Sequence, residues 1–354
     1  MSSGAMRAIA GATLVLLMGC GAPAPGNSAP RDAPTAPTQG LDPGAMQRTV
    51  AAATRLPRLR ALLVLRDGRT LAEHRFNGGP PLDQPVNVKS ASKSVMSALV
   101  GIAIDRGVLS GVDQPILAVL RRDAPPNGDP RLARVTVGNL LSMQAGLERT
   151  SGAYYGRWVS SPNWVRAALA RPFVDAPGGA MLYSTGNTHL LSAMLTRATG
   201  RSTLQLARAW LGEPLGIAIP AWPTDPQGIY FGGNDMRLSP RALARFGELY
   251  RLGGVVDGKR ILSADWIAQS WTPRATSPWS GGRYGYGWFV GTVGAHPLRY
   301  AWGYGGQMVY VLPDLRLTVV MTSASEGARD EGHVDALHRL VADGIVPAAE
   351  RGAI

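Results

Sequence analysis

The segment 86–109, VNVKSASKSVMSALVGIAIDRGVL, places a lysine inside an apolar run and decides how the chain folds. The chain has only three lysines, Lys89, Lys93 and Lys259, while arginine supplies nearly all other positive charge. Residues 90–108 have the length of a helix and are apolar on nearly all sides, which predicts a helix buried in the body of the protein. A lysine in that setting indicates a group that must be able to lose its proton, because arginine cannot do so.

Ser90 and Lys93 form a Ser-x-x-Lys motif at the predicted N-terminal end of this helix. Positions three apart share a helix face, so the hydroxyl and the amine can come within hydrogen-bonding distance. Burial lowers the pKa of a lysine, and a neutral amine can accept the proton of a nucleophilic serine. Four-residue motifs also arise by chance, so an incidental helix serine is the alternative at this point.

The rest of the chain predicts one sheet built from distant segments. Residues 44–56 read as a short helix, and 58–76 as two strands joined at Asp67-Gly68, a dipeptide favoured in tight hairpins. Helical spacing then dominates until strand patterns return from Tyr284. The segment 333–345 closes the chain as a helix. Strands at both ends and helices between them predict an antiparallel sheet with an inserted helical lobe.

Two further motifs follow in order. Tyr183-Ser184-Thr185 comes after a Pro-Gly-Gly loop and before a predicted helix, and 300–314, YAWGYGGQMVYVLPD, places a glycine-rich turn beside a strand. With Ser90-x-x-Lys93 and connecting segments such as 135–147, VTVGNLLSMQAGL, the sequence resembles the serine β-lactamase and penicillin-binding protein superfamily. The resemblance is to the class C-like branch of 6-aminohexanoate-dimer hydrolases and family VIII esterases, over about residues 56–346. It implies an α/β fold of the β-lactamase/transpeptidase type.

The resemblance also implies a mechanism. Ser90 is the expected nucleophile, and Lys93 with Tyr183 is expected to handle its proton. The two groups should titrate together, so the sequence leaves open which of them is the general base. The backbone N–H groups of Ser90 and Tyr304 are expected to bind the oxyanion. No cofactor is expected.

Two departures from the family pattern bear on the substrate. Thr185 stands where the second motif usually has asparagine, and Ala301 stands where the third motif usually has a lysine or histidine that helps bind a substrate carboxylate. Arg299, two residues earlier, is a weak substitute for that charge. A pocket opened by Trp302 therefore favours an uncharged or apolar acyl group. The residues expected to contact substrate are Trp302, Gly303, Thr185, Asn187, Asn234 and Tyr155.

These observations predict a serine hydrolase that acts on small-molecule esters or amides. The alternatives are a β-lactamase or D-alanyl-D-alanine carboxypeptidase of the cell envelope, and a weakly catalytic protein that binds peptidoglycan fragments.

The N-terminus predicts export. Arg7 precedes an apolar run, 8–18, and Leu17-Met18-Gly19-Cys20 resembles the lipobox of bacterial lipoproteins. Residues 1–20 are therefore expected to be a signal peptide that exposes Cys20 for lipidation, and the Pro- and Ala-rich 21–43 a tether. A plain secretory signal is the alternative. The expected location is the periplasm, on a lipid anchor, with the hydrolase domain at 44–350: an α/β part at 44–100 and 280–350, and a helical lobe at about 101–279.

Composition narrows the remaining classes. The formal charge is +12, but the arginines are scattered and no nucleic-acid module is present, so no nucleic-acid partner is expected. Cys20 is the only cysteine, and the five histidines lack ligand spacing, so no metal is expected. His189, on the helix after Tyr183, is expected to be structural. Acidic Glu326, Asp330 and Glu331 fit either attraction of an amine-bearing substrate or an exposed loop.

Overall fold

An eight-stranded antiparallel sheet joins the two ends of the chain in the computed structural model. The structure describes residues 40–326 and 332–352; the predicted signal peptide, Cys20 and most of the predicted tether lie outside them, as do Asp330 and Glu331. The strands are β1 (Leu59–Arg66), β2 (Arg69–Arg75), β3 (Val86–Asn87), β4 (Arg237–Leu238), β5 (Val255–Val256), β6 (Lys259–Arg260), β7 (Ala275–Thr276), β8 (Arg283–Tyr284), β9 (Phe289–Val293), β10 (His296–Gly303), β11 (Gln307–Leu312) and β12 (Leu317–Ser323). The α-helices are α1 (Pro43–Thr54), α2 (Ser92–Asp105), α3 (Leu117–Leu120), α4 (Val137–Leu141), α5 (Tyr155–Val159), α6 (Trp164–Leu169), α7 (Thr185–Thr199), α8 (Thr203–Ala207), α9 (Glu213–Leu215), α10 (Pro240–Arg251), α11 (Ala264–Ser270), α12 (His333–Arg339) and α13 (Val346–Arg351).

The order of the main sheet is β2-β1-β12-β11-β10-β9-β8-β7, and β1 pairs with β12 from the other end of the chain. This pairing confirms the predicted sheet of N- and C-terminal strands. The β1–β2 hairpin turns at Asp67 and Gly68, whose φ angles are 51° and 77°. Positive φ at both central residues is the conformation that matches the twist of a two-residue hairpin.

Side chains that alternate along β1 separate the two faces of the sheet. Leu62 and Val64 pack with the helices at the two ends of the chain, α1, α12 and α13. Leu63 and Leu65 face the larger core that contains α2 and α10. Strand β1 therefore contributes to both cores, as the period of two along a strand requires.

Helix α2 runs through the larger core, and residues 92–103 are all buried. The prediction of a buried helix is confirmed, with one local difference: a 3₁₀ turn, Lys89–Ala91, precedes it and carries Ser90. Helix α10 lies in the segment that the sequence assigns to the helical lobe, yet it packs against β1, β11 and β12.

Three segments that have helical spacing in the sequence form shorter or less regular helices in the structure. In 136–147 the helix is limited to α4. Thr136 and Asn139 form a capping box at its start, and Met143, after its end, has a φ of 64°. Continuous helix is interrupted by π-helical segments at Arg208–Gly212 and Leu340–Ile345. Among the described residues, no helix has the length and apolar character to cross a membrane.

Candidate active site

The turn that carries Ser90 is held in an uncommon backbone conformation. Lys89, directly before it, has a φ of 49°, a left-handed conformation that non-glycine residues adopt at a cost. Its backbone N–H donates to Asn87 Oδ1 at 2.8 Å, and its amine lies 3.4 Å from Asp235 Oδ1. Asn87 Nδ2 also donates to Asp235 Oδ1, at 2.7 Å. These contacts fix the direction in which the chain enters α2 and hence the position of Ser90.

Lys93 is 1% exposed, and its amine has three oxygen partners. Nζ lies 3.1 Å from Ser90 Oγ, 3.3 Å from Thr185 Oγ1 and 2.7 Å from the carbonyl oxygen of Gly233. A neutral amine has two N–H donors and one lone pair. Donation to the Gly233 carbonyl and to Thr185 Oγ1 therefore leaves the lone pair for the proton of Ser90.

The electrostatic setting favours this neutral state. Burial lowers the pKa of Lys93 from 10.5 to about 7, while the charge of Asp235 acts in the opposite direction. The mechanism is desolvation, which disfavours the charged form of a buried group. At neutral pH a substantial fraction of the protein thus holds Lys93 as a free amine beside Ser90.

Gly233 reaches Lys93 because it has no side chain. A Cβ at this position would lie 1.9 Å from Thr188 Oγ1 on helix α7. The absence of that atom lets the loop pack against α7 and places the carbonyl of Gly233 over the amine of Lys93.

Tyr183 lies two residues before α7, with its ring centroid 4.9 Å from Lys93 Nζ. Its ring packs edge-on against Trp279 and Tyr284, with centroids 6.0 Å and 6.3 Å away. Burial raises the pKa of Tyr183 to about 12, against a smaller lowering by its hydrogen bond with Ser90. Tyr183 is therefore a protonated phenol at neutral pH.

Thr185 links the buried amine to the solvent-facing side of the site. Its Oγ1, which contacts Lys93, also lies 2.9 Å from Ser151 Oγ, and its backbone N–H donates to the same Ser151 oxygen at 2.9 Å. Ser90, Lys93, Thr185 and Ser151 thus form a continuous chain of hydrogen-bonding groups.

The end of β10 lies against the turn that carries Ser90. A Cβ on Gly303 would lie 2.2 Å from the carbonyl oxygen of Val88 and 3.2 Å from the backbone nitrogen of Ala91. Only glycine allows this approach, which brings the backbone at Tyr304 beside Ser90. That the N–H groups of Ser90 and Tyr304 bind the oxyanion, as the family resemblance implies, stays a prediction.

A cavity of about 820 Å³ opens over Ser90 and Tyr183. Of the predicted substrate-binding residues, Trp302 lines it, as does the predicted oxyanion residue Tyr304. The sequence interpretation missed several other residues of the wall. These are Arg149, Ser151, Gly152, Ala153, Ser277, Trp279, Phe289, Gly305 and Val334. Phe289 is on β9, Val334 is on α12, and Gly305 belongs to the glycine-rich turn after β10. The other six come from segments with neither motif nor periodicity in the sequence.

The other five predicted substrate contacts do not line the cavity: Gly303, Thr185, Asn187, Asn234 and Tyr155. Asn234 Nδ2 donates to the Tyr155 hydroxyl at 3.0 Å, so these two side chains bind each other next to Asp235. Asn187 is 3% exposed within α7. Their contact with substrate stays a prediction.

Arg299 and His189 are held by contacts within the protein and lie away from the cavity wall. Arg299 Nη1 donates to the carbonyl oxygens of Gly291 and Leu298, and Arg299 does not line the cavity. His189 is fully buried, with Nε2 3.1 Å from Asp225 Oδ2, and its Nδ1 accepts from the N–H of Gly232 at 3.4 Å. Within 40–326 and 332–352, no group of three or more His, Cys, Asp or Glu residues has the arrangement of a metal site.

Comparison with known proteins gives the same family. The family model described as Beta-lactamase matches residues 52–343. A 6-aminohexanoate-dimer hydrolase from Paenarthrobacter ureafaciens is 28% identical over 264 residues, covering 66% of this chain and 66% of that protein. The structure of EstCE1, a hydrolase with promiscuous acyltransferase activity, has a TM-score of 0.68 at 18% identity and covers 84% of this chain and 96% of its own. A family VIII carboxylesterase has a TM-score of 0.66 at 18% identity, with 85% and 99% covered. These structural likenesses show the fold.

Proposed function

The chain belongs to the Beta-lactamase family, and on that basis we propose that it is a serine hydrolase that cleaves esters or small amides through an acyl-Ser90 intermediate. The observation that carries the proposal is the distance of 3.1 Å between Lys93 Nζ and Ser90 Oγ, with the amine buried and its pKa lowered to about 7. A nucleophile and a deprotonatable base within hydrogen-bonding reach are what acyl transfer requires.

In the proposed acylation, the free amine of Lys93 accepts the Ser90 proton as Oγ attacks the substrate carbonyl carbon. The carbonyl oxygen gains negative charge and is bound by the N–H groups of Ser90 and Tyr304. When the C–O or C–N bond breaks, Tyr183 donates its phenolic proton to the leaving group. The proton held by Lys93 then returns to Tyr183 through solvent in the cavity, and the acyl group stays on Ser90.

Deacylation repeats the chemistry with water as the nucleophile. Water in the cavity gives a proton to the free amine and attacks the ester carbon of acyl-Ser90. The bond to Ser90 Oγ breaks, Oγ regains a proton, and the carboxylic acid leaves. Thr185 keeps the amine aligned in both half-reactions because it holds one of its N–H groups at 3.3 Å.

Ester and amide cleavage are favoured over β-lactam or peptidoglycan chemistry by position 301. Ala301 is 1% exposed and packs in the larger core, where the family usually has a basic side chain. The similarity to a protein named 6-aminohexanoate-dimer hydrolase supports the same preference.

The proposal is tested by expressing residues 41–354 and following hydrolysis of 4-nitrophenyl butanoate by the wild type and Ser90→Ala. We expect Ser90-dependent turnover of the ester that exceeds turnover of a chromogenic cephalosporin. Higher cephalosporin turnover would favour the β-lactamase alternative. Muropeptide binding without turnover of any substrate would favour the binding-protein alternative.

We also propose that Cys20 carries a lipid that anchors the protein in the cell envelope, on the strength of the Leu17-Met18-Gly19-Cys20 sequence. Full-length protein expressed in a bacterial host should incorporate radiolabelled palmitate and fractionate with membranes. Cys20→Ser should do neither. If the wild-type protein carries no label and is released into the periplasmic fraction, the lipid anchor is contradicted and a plain secretory signal is supported.

A further inference from the structure

Arg149 differs from every other described residue that lines the cavity, because it alone is charged. Its guanidinium lies over the ring of Trp279, 5.3 Å from the ring centroid. Within the described part of the chain it forms no ion pair and no hydrogen bond. The neighbouring acid, Glu148, is paired with Arg171 and so does not neutralise it.

The position of Arg149 is tied to the reacting groups through Trp279. The Trp279 ring is 58% exposed at the mouth of the cavity, and its other neighbour is the ring of Tyr183. Arg149, Trp279 and Tyr183 therefore form a continuous wall that leads from the opening to Ser90. A cation stacked on an indole keeps its in-plane N–H groups available for an anion, since the contact uses the face of the guanidinium.

We propose that Arg149 binds a carboxylate of the substrate, so that the preferred substrates are esters or small amides that carry a carboxylate remote from the scissile bond. The proposal rests on the proposed hydrolase function. A guanidinium presents paired N–H donors that match the two oxygens of a carboxylate. The sequence alone predicts an uncharged acyl group, because position 301 lacks a basic residue. Arg149 supplies a positive charge from a different wall of the cavity.

The carboxylate can belong to the acyl group or to the leaving group, and two matched ester pairs separate these sources. Mono(4-nitrophenyl) adipate and its methyl ester differ by one charge on the acyl side. 4-Acetoxybenzoate and its methyl ester differ by one charge on the leaving-group side. The value of kcat/KM is measured for all four esters with the wild type, Arg149→Gln and Arg149→Lys. Arg157→Gln is the matched control, because Arg157 is an exposed arginine of the same lobe that does not line the cavity.

We expect Arg149→Gln to lower kcat/KM for the charged member of one pair by about 10- to 100-fold, the effect of one hydrogen-bonded charge pair. The neutral member should change less than about threefold, with Arg149→Lys intermediate and Arg157→Gln at wild-type values. Equal effects of Arg149→Gln on both members of both pairs would overturn the proposal while leaving the hydrolase function in place.

Failure of the hydrolase function gives a different result. If none of the four esters shows Ser90-dependent turnover, binding of monomethyl adipate and of 4-acetoxybenzoate to Ser90→Ala is measured by calorimetry. Saturable binding that Arg149→Gln abolishes supports the carboxylate site even then. Binding that is absent, or unaffected by Arg149→Gln, overturns it.

Discussion

The amine of Lys93 lies 3.1 Å from the hydroxyl oxygen of Ser90, across the junction of a 3₁₀ turn and helix α2. The lysine is buried and the serine is partly open to the cavity. This pairing puts a base on the protein side and a nucleophile on the substrate side of the same turn.

Activity should depend on pH through Lys93. Burial lowers the pKa of this amine to about 7, and only the neutral form accepts the Ser90 proton. The value of kcat/KM should therefore rise with pH through a midpoint near 7 and then stay level, because the pKa of Tyr183 is raised to about 12. A pH profile of ester hydrolysis checks this. A rate that falls through pH 7 would contradict a neutral-amine base.

Burial of Lys93 should also lower the free energy of unfolding of the wild type, by an amount that depends on pH. The pKa of Lys93 is about 7 in the folded protein and 10.5 as a free group, so between these pH values the unfolded chain holds more protons. The free energy of unfolding of the wild type should consequently rise with pH in this window, relative to Lys93→Met, by up to about 1.4 kcal/mol per pH unit.

At pH 7, Lys93→Met should be inactive and more stable than the wild type by roughly 2–4 kcal/mol. The full desolvation cost is roughly 5 kcal/mol, and the lost hydrogen bond to the Gly233 carbonyl offsets about 1–3 kcal/mol of it. Urea unfolding of both proteins at pH 7 and pH 9.5 measures the difference. A stability gap that does not narrow at pH 9.5 would show that Lys93 is not the titrating group.

Part of this site is readable from the sequence for a physical reason. The apolar residues around Lys93 in the sequence predict that this segment is a buried helix. Burial lowers the pKa of a lysine, so the lowered pKa is predicted from the same local residues. Tyr183 has no such local signal and enters only through resemblance to a family. Arg149, Ser151 and Trp279 come from loops, and only the tertiary structure brings them to one wall. The departure of Thr185 from the family pattern was visible, but its contact with Ser151 was not.

Thr185 should be needed for catalysis through its hydroxyl alone. Thr185→Val keeps the shape but removes the oxygen between Lys93 and Ser151, and kcat should fall by about 10- to 100-fold, the effect of a hydrogen bond to a charged group. The midpoint of the pH profile should also move to lower pH, because the charged amine loses an acceptor. Thr185→Ser is the control and should retain most activity. Full activity of Thr185→Val would remove Thr185 from the mechanism.

Gly303 should tolerate no side chain. Gly303→Ala places a Cβ 2.2 Å from the Val88 carbonyl oxygen, so β10 and the Ser90 turn must separate. If this displaces the Tyr304 N–H from the oxyanion, kcat should fall by about 100- to 1,000-fold. Gly291→Ala, on the adjacent strand, is the matched control, since its Cβ would meet nothing within 4 Å. Circular dichroism verifies that both variants are folded; equal kcat values would argue against the proposed oxyanion site.

His189 should stabilise the loop that aligns Lys93. Burial lowers the pKa of His189, so the ring is neutral, accepts from Gly232 and donates to Asp225. His189→Ala leaves the Asp225 carboxylate without this partner and should cost about 2–4 kcal/mol of stability. It should also lower kcat. His189 holds Gly232, and the carbonyl of the next residue, Gly233, accepts from the amine of Lys93.

The same histidine gives a pH test of stability. The unfolded chain takes up a proton on His189 below pH 6.5 and the folded protein resists it, so wild-type stability should fall as the pH drops below that value. His189→Gln, which is not titratable, should lose this component. The partly exposed His74 on β2 provides His74→Ala as a control with little effect on kcat. A His189→Ala protein as stable as His74→Ala would contradict the assigned role.

The most direct test of the account is to identify the residue that carries the acyl group. Wild-type protein and Ser90→Ala are mixed with 4-nitrophenyl butanoate, quenched in acid within milliseconds and digested for mass spectrometry. We expect one butanoyl group on the peptide that contains Ser90 and none at any position in Ser90→Ala. An acyl group on a different residue, or wild-type turnover by Ser90→Ala, would contradict the central claim that Ser90 is the nucleophile.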